Sequence, residues 1–152
     1  MKKFLVIALA IGTIVGCKKK DDGPAQLEVT AANIAGVYKL TAEVEVISGV
    51  TYDRFNGGTI AGVAYRSDYE TCEKDDTYTF TTTNVTIAEG ATSCTPPTSS
   101  VTLPYTFSTS AKTVTLDGQT ATVKSLTANT MVAETSTTTS GVTIVSTSTY
   151  SK

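Results

Sequence analysis

The sequence contains neither histidine nor tryptophan among its 152 residues. Histidine is the commonest general base and the commonest metal ligand, so its absence removes the usual routes to acid–base and metal chemistry. A Gly-rich phosphate loop, a Ser–His pair and a Cys–His pair are missing as well. The net charge of −2 argues against nucleic acid, whose binding depends on basic side chains that displace counterions. We therefore expect a non-catalytic protein with no cofactor, no metal and no nucleic-acid partner.

Long hydrophobic runs are also scarce. The clearest one, from Phe4 to Val15, has 12 uncharged residues, whereas a helix that spans a bilayer needs about 20. It follows Lys2 and Lys3. A basic start before a short apolar stretch is typical of a secretory signal peptide, which would be removed from the mature protein.

Ile14-Val15-Gly16-Cys17 ends this stretch and resembles the lipobox of bacterial lipoproteins: an aliphatic residue, a small or β-branched residue, Gly or Ala, and Cys. The resemblance implies cleavage after Gly16, acylation of Cys17 with fatty acids such as palmitate, and attachment to a membrane through that lipid. An ordinary secretory signal with a nearby cysteine is the alternative. Cleavage would remove Lys2 and Lys3, leaving ten basic against 14 acidic side chains, a net charge of −4.

The segment after the lipobox bears on localisation. Lys18 to Asp22 resembles the surface-export signal of Bacteroidota lipoproteins, and the alternative is a solvated spacer. We expect a signal peptide over residues 1–16, the lipidated Cys17 and a flexible tether over 17–29, and one domain over 30–152. The protein would then be an outer-membrane lipoprotein, on the periplasmic side or at the cell surface.

Threonine is the most frequent residue, and good helix formers are rare after Ala35. Because β-branched residues fit a pleated strand better than a helix, the composition predicts an all-β domain. One helical turn is expected from Thr30, a candidate N-cap, to Ala35, with Gly36 ending it. From Val37 the hydrophobic period becomes two, and the inward face of this first strand is predicted to hold Tyr38, Leu40, Ala42, Val44 and Val46. Its outward, solvated face is predicted to hold Lys39, Thr41, Glu43 and Glu45.

Seven further strand-like segments follow, most of them joined by short turns. The turn signals are Thr82-Thr83-Asn84, Asp117-Gly118, Ala128-Asn129 and Ser140-Gly141. An antiparallel meander of eight strands closes naturally into an up-and-down barrel, which leaves no exposed sheet edge. A β-sandwich is the alternative architecture.

Residues 48–71 form the longest segment without clear periodicity, and they are rich in glycine, tyrosine and arginine. Long loops in compact domains often act as lids or binding loops. The other interpretation is a loop folded over one end of the barrel with its aromatic side chains tucked inside. Within this segment, Thr59 to Tyr65 could form a short strand or a helix.

The two cysteines that remain after lipidation form an even pair, which in an exported protein suggests a disulfide. A hairpin centred on Thr83 would pair Phe80 with Thr86 and, beyond its open end, Cys72 with Cys94. That geometry permits a disulfide. A thiol or metal pair is the alternative, although the chain has no histidine to complete a metal site.

Three segments resemble lipocalin-like domains of Bacteroidota lipoproteins. Gly36-Val37-Tyr38 is similar to the lipocalin opening Gly-X-Trp, with tyrosine in place of tryptophan. Cys72 to Phe80, with the later Cys94, matches a Cys…Asp-Asp-x-Tyr-x-Phe block, and Leu126-Thr127 matches a late Leu-Thr pair. The resemblance covers roughly residues 33–150 and implies the eight-stranded barrel, in which the larger family holds a small apolar ligand.

The first functional hypothesis is a membrane-anchored barrel that binds a small or apolar ligand. Its candidate ligand-binding residues are side chains expected to point inward: Tyr38, Leu40, Tyr78, Phe80, Tyr105 and Phe107. Further inward positions are Val44, Val101, Leu103, Val123, Ile144 and Tyr150. The other interpretation is that these residues fill a solid core. The domain would then be a non-catalytic structural or surface module that contacts a glycan or a protein. We expect a monomer in either case.

Overall fold

The computed structural model describes residues 23–97 and 99–152. The predicted signal peptide, the lipidation site Cys17 and the segment Lys18 to Asp22 lie outside these residues. No helix within the two described ranges is long and apolar enough to cross a membrane. The described residues form one short helix and eleven strands: α1 (Ala31–Ile34), β1 (Gly36–Ile47), β2 (Val50–Asp53), β3 (Gly58–Ile60), β4 (Val63–Tyr65), β5 (Thr77–Phe80), β6 (Asn84–Ala88), β7 (Val101–Ser108), β8 (Thr113–Leu116), β9 (Gln119–Leu126), β10 (Thr130–Thr139) and β11 (Val142–Ser151).

Eight of the strands form a closed antiparallel barrel. Strand β1 pairs with β5, the strands from β5 to β11 pair in sequence order, and β11 pairs back with β1. Closure pairs the backbone groups that an open sheet would leave free along its edges. The predicted eight-stranded up-and-down barrel is therefore confirmed, and the β-sandwich alternative is wrong.

The alternating strand directions give the barrel two different ends. At the helix end, α1 leads into β1, β11 finishes, and short connections follow β5, β7 and β9. At the loop end lie the longer segments 48–76 and 89–100 and the turns Asp117-Gly118 and Ser140-Gly141. Asp117 and Gly118 have φ angles of 48° and 75°, as the predicted Asp-Gly hairpin turn requires.

A buried cluster seals the helix end. The Thr30 side chain accepts a hydrogen bond from the backbone amide of Asn33 at 3.1 Å, which confirms the predicted N-cap. The short helix directs Ile34 into the barrel, where its side chain is fully buried. Ile34 shares one hydrophobic cluster with Val29, Tyr38, Val123, Leu126 and Met131.

The hairpin between β5 and β6 differs from its predicted register by one residue. Phe80 pairs with Val85 and Tyr78 with Ile87, so the predicted pairing of Phe80 with Thr86 is wrong. The observed register sets apolar side chains opposite one another on the inner face of the sheet. A slip of one residue would place Thr86 on that face, because side chains alternate along a strand.

Cys72 and Cys94 are nevertheless joined by a disulfide, with their Cα atoms 5.2 Å apart. Both cysteines lie outside the β5–β6 ladder, in the segments that precede β5 and follow β6. The error in the predicted register therefore leaves the bridge unaffected. Closing a loop with a sequence separation of 22 residues stabilises the fold by about 3 kcal/mol in the chain-entropy model.

The segment over the loop end is more regular than the sequence predicted. Strand β2 extends the barrel by pairing with the second half of β1, and β3 and β4 form a separate antiparallel hairpin. Residues 59–65 therefore contain strands on both sides of a turn at Ala61-Gly62, and the helical alternative for them is wrong.

A β-bulge at Thr41 changes which residues of β1 face the barrel interior. Leu40 pairs with Tyr150 and Ala42 pairs with Thr149, so Thr41 is an extra residue in β1. The Thr41 hydroxyl donates a hydrogen bond to the carbonyl of Thr149 at 3.1 Å, which fixes the bulge against β11.

Beyond the bulge the alternation of β1 is reversed. Glu43 pairs with Ser148 and Glu45 with Ser146, in the same inward set as Tyr150 two residues further along β11. The prediction that Glu43 and Glu45 face solvent is therefore wrong. The prediction that Ala42, Val44 and Val46 face inward is also wrong, because these three residues lie on the outer face. A bulge inserts a residue, and each inserted residue exchanges the two faces of a strand.

Removal of the Ile34 side chain tests how the helix end is closed. We expect Ile34→Ala to lower the free energy of unfolding by about 3 kcal/mol, because a fully buried aliphatic side chain leaves a cavity when it is shortened. Urea unfolding of the purified protein followed by circular dichroism measures the effect. The matched control is Val37→Ala, since Val37 is 55% exposed and should cost less than about 1 kcal/mol. Equal losses for the two variants would contradict a sealed helix end.

Candidate functional site

The barrel interior contains an apolar cavity of about 400 Å³ that reaches the loop end. Most of its wall comes from the inner faces of β7 to β10, and Phe80 and Tyr150 close it from the other side. Its polar lining residues Asp117, Gln119 and Thr135 come from the part of the wall near the β8–β9 turn. The complete lining is Phe80, Leu103, Val114, Leu116, Asp117, Gln119, Ala121, Val123, Met131, Ala133, Thr135 and Tyr150.

Small side chains on β9 and β10 leave this space unfilled. Ala121 pairs with Thr135, and Val123 pairs with Ala133, across the β9–β10 ladder. In an eight-stranded barrel, side chains either fill the interior or leave room for one small ligand. The small side chains of Ala121 and Ala133 therefore leave space on this side of the barrel interior.

The structure places the six candidate ligand-binding residues in different environments. Phe80 lines the cavity. The other five do not line it: Tyr38, Leu40 and Tyr105 are buried in the core, and Tyr78 and Phe107 pack against the core cluster. Three of the further inward positions do line the cavity: Leu103, Val123 and Tyr150.

Phe80 connects the cavity to the core. Its ring centroid lies 5.8 Å from that of Tyr38, 6.0 Å from that of Tyr105 and 6.3 Å from that of Tyr150, each in an edge-to-face arrangement. Edge-to-face aromatic pairs add to the stability that burial of their area provides. Phe80 and Tyr150 therefore give the cavity an aromatic wall that is continuous with the packed core.

A polar group lies inside the opposite half of the barrel, where the Thr41 bulge directs Glu43. The Glu43 carboxylate accepts hydrogen bonds from the Tyr69 hydroxyl and from the Ser146 hydroxyl, the second at 3.2 Å. Sequence periodicity gave no sign of this group, because it predicted Glu43 on the outer face. The small polar residues Ser146 and Ser148 on β11 are the one signal that could have indicated an inward carboxylate.

The segment that carries Tyr69 covers this half of the loop end. Phe55 is buried and its ring lies 5.5 Å from that of Tyr69. The Ser67 hydroxyl donates to the carbonyl of Phe55 at 2.7 Å, and it accepts from the amide of Tyr69 at 2.9 Å. Of the two interpretations of residues 48–71, the structure therefore supports a loop folded over the barrel with aromatic side chains inside.

Burial around this group suppresses tyrosine ionisation. Burial, with the Tyr150 hydroxyl and nearby carboxyl groups adding to it, raises the pKa of Tyr78 to about 12. The pKa values of Tyr69 and Tyr150 are also raised, by burial first and then by the carboxylate of Glu43. Burial likewise raises the pKa of Tyr105. The folded protein therefore holds these tyrosine protons to a higher pH than an unfolded chain would.

The disulfide lies near the acidic side chain of Glu70, and the ligand-type atoms of Glu70, Cys72 and Cys94 lie within 4.8 Å of one another. A metal-binding cysteine acts as a thiolate. The two sulfur atoms are bonded to each other, so they cannot take that role while the bridge is intact.

Comparison with known proteins gives one family. Residues 34–133 match the family described as a lipocalin-like domain, a match that covers well over half of the chain. No curated protein and no solved structure matches the sequence.

The raised tyrosine pKa values predict a loss of stability in alkali. The unfolded chain releases tyrosine protons near the ordinary pKa of about 10, whereas folded Tyr78 holds its proton until about pH 12. The folded state therefore binds more protons between these values, and the stability falls as the pH rises through that window. Urea midpoints measured across it should decrease steadily, and Tyr78→Phe should lessen the decrease. An unchanged slope in this variant would contradict the burial of Tyr78.

Proposed function

The chain belongs to the family of lipocalin-like domains, and on that premise we propose that its barrel binds a small apolar molecule in the cavity at the loop end. The observation that carries the proposal is the cavity itself. Its volume of about 400 Å³ falls within the range of about 300–1,000 Å³ typical of ligand pockets. The proposed role is binding rather than catalysis.

The lining supports an apolar ligand. Nine of the twelve lining residues are aliphatic or aromatic, and the three polar ones are Asp117, Gln119 and Thr135. Transfer of apolar surface from water into such a pocket stabilises a complex by about 25 cal/mol per Å². A polar group on the ligand would meet the three polar residues.

We further propose that the protein is a lipoprotein anchored through Cys17 in the outer membrane, on the periplasmic side or at the cell surface. The resemblance of Ile14–Cys17 to a lipobox supports the anchor. The chain enters the barrel at the helix end, since Val29 and Ile34 belong to the core there. The tether of an anchored protein would therefore leave the barrel at its helix end, opposite the end at which the cavity opens.

The outer surface supports the second candidate function, a module that contacts a glycan or a protein. Exposed threonine hydroxyls pair across neighbouring strands, with oxygen separations of 2.8 Å for Thr86–Thr102, 2.8 Å for Thr115–Thr120 and 3.1 Å for Thr138–Thr143. Such a surface offers donors and acceptors to a partner. A surface module of this kind requires no ligand in the cavity, so measuring the binding of a probe to the cavity distinguishes the two functions.

Filling the cavity tests the first function. The uncharged fluorescent probe N-phenylnaphthylamine should bind the purified protein, with increased fluorescence. We expect Ala133→Phe to weaken this binding at least about tenfold, because the added ring occupies the space between β9 and β10. Fluorescence titration gives the Kd.

Two further variants complete this test. Ala121→Phe should behave like Ala133→Phe, and circular dichroism shows whether each variant folds. Thr106→Phe is the matched control, since Thr106 lies on the outer face of β7 and is exposed. A folded Ala133→Phe protein that binds the probe as tightly as the Thr106→Phe protein would argue for the surface module instead.

Replacement of Cys17 tests the anchor. The full chain is expressed in a Gram-negative host that is fed an alkyne-labelled palmitate, and label and membrane fraction are measured. We expect the wild type to be labelled and membrane-bound and Cys17→Ser to be neither. Cys72→Ser is the matched control and should retain the label. A labelled Cys17→Ser protein, or an unlabelled wild type, would overturn the proposal. Added protease on intact cells distinguishes the two sides of the membrane, since only a surface protein is digested.

A further inference from the structure

The charges around the loop end indicate which apolar molecules the cavity accepts. We infer that the cavity selects single-chain amphiphiles whose head group carries no negative charge, with a preference for a cationic head. This inference rests on the proposed binding function and adds a ligand class to it. Three observations carry it: the charge of the cavity lining, the charge of the loop end and the positions of the basic side chains.

The cavity lining orients an amphiphile. Its deep part contains Phe80, Val123 and Met131, which lie close to the core cluster. Its outer part contains Leu116, Gln119 and the single charged lining residue, Asp117. An alkyl chain therefore occupies the deep part, and its head group lies beside the Asp117 carboxylate.

The loop end as a whole is strongly acidic. The segments 48–76 and 89–100 and the Asp117-Gly118 turn carry eight acidic and three basic side chains, and the second half of strand β1 before them adds Glu43 and Glu45, which gives a net charge of −7. Clefts lined by one sign of charge focus the potential and concentrate ligands of the opposite sign. The ten acidic residues are Glu43, Glu45, Asp53, Asp68, Glu70, Glu73, Asp75, Asp76, Glu89 and Asp117.

Several of these carboxylates lie close enough to influence one another. The pKa of Asp76 is raised by burial first, and the carboxylates of Asp75, Glu73 and Glu89 raise it further against an opposing hydrogen bond from the Gly90 amide. Gly90 itself packs so closely on Asp75 that a Cβ atom would lie 2.2 Å from the Asp75 carbonyl oxygen. The backbone at Gly90 therefore packs directly against Asp75.

The basic side chains of the loop end have partners of their own or lie exposed away from the cavity lining. Arg54 donates to the carboxylate of Glu45 at 2.6 Å and lies 3.6 Å from that of Asp68. The Lys74 ammonium lies 5.1 Å from the centre of the Phe55 ring. Arg66 is exposed, and none of the three lines the cavity. A carboxylate ligand would therefore find no cation in the lining to offset its burial.

None of the other basic residues of the described chain lines the cavity. Lys112 and Lys152 flank strand ends at the helix end, and Lys124 pairs with Glu134 on the outer wall at 3.2 Å. Lys39 is exposed on β1, where its charge acts on the carboxylate of Asp75 outside the cavity lining. The barrel is thus acidic at its mouth and basic at its closed end. An anion would be repelled by the end through which it must enter.

Matched ligands that differ only in head-group charge test this inference. Dodecyltrimethylammonium, dodecanol and dodecanoate, each below its micelle concentration, displace N-phenylnaphthylamine from the purified protein at about pH 8, where dodecanoate is ionised. At an ionic strength of about 0.01 M we expect the ammonium to bind at least about tenfold more tightly than dodecanoate, with dodecanol between them. Added salt should shrink the difference, because exposed charges are screened.

Variants at the mouth show whether these charges cause the selectivity. Asp117→Asn keeps a residue that tolerates a positive φ. This variant should reduce the ratio of the Kd for dodecanoate to the Kd for dodecyltrimethylammonium about threefold. Gln119→Lys places a cation in the lining and should reduce the ratio further. Glu28→Gln is the matched control, since it removes one acidic charge from the helix end and should leave the ratio unchanged.

The displacement measurements distinguish a failure of the inferred ligand class from a failure of the proposed binding function. If none of the three dodecyl compounds displaces the probe, the proposed binding function fails and the ligand class fails with it. If dodecanoate binds as tightly as the ammonium, the cavity binds amphiphiles but the inferred class is wrong. The inferred ligand class would also be wrong if Glu28→Gln changed the ratio of the Kd values as much as Asp117→Asn does. The selectivity would then come from the net charge of the protein and not from the charges at the mouth of the cavity.

Discussion

The pairing of β1 with β11 around the Thr41 bulge is the constraint on which the interior of this barrel depends. Without it the sheet would have two free edges, and the barrel would not close. The inserted residue also exchanges the faces of β1 halfway along its length. Tyr38 and Leu40 point into the core below the bulge, and Glu43 points into the barrel above it. One strand thus contributes apolar packing to one end and a carboxylate to the other.

The two ends of the barrel differ in chemistry as a consequence. At the helix end, Ile34 and the cluster around it exclude water, and the Lys152 ammonium lies 5.0 Å from the centre of the Tyr38 ring. Cation–π contacts of this kind stabilise a fold modestly. At the loop end the Cys72–Cys94 bridge joins the two longer segments. The apolar packing is thus concentrated at the helix end, and most of the carboxylates lie at the loop end.

The cavity arises on the side of the barrel that the loop segment does not fill. Tyr69 enters the interior beside Glu43 and occupies the half next to β1 and β11. Across the barrel, Ala121 and Ala133 are too small to meet the facing side chains. The resulting space of about 400 Å³ is open towards the loop end, whereas close-packed interiors normally contain few voids larger than a water molecule.

The sequence by itself determined the all-β class, the eight strands of the barrel, the N-cap at Thr30 and the Asp117-Gly118 turn. These follow from local signals: β-branched composition, a hydrophobic period of two and turn residues. The tertiary structure alone decided the β5–β6 register, the inward turn of Glu43 and the position of the cavity. A bulge leaves no mark in the alternation of residue types, and an empty space depends on which small side chains face each other across the closed barrel.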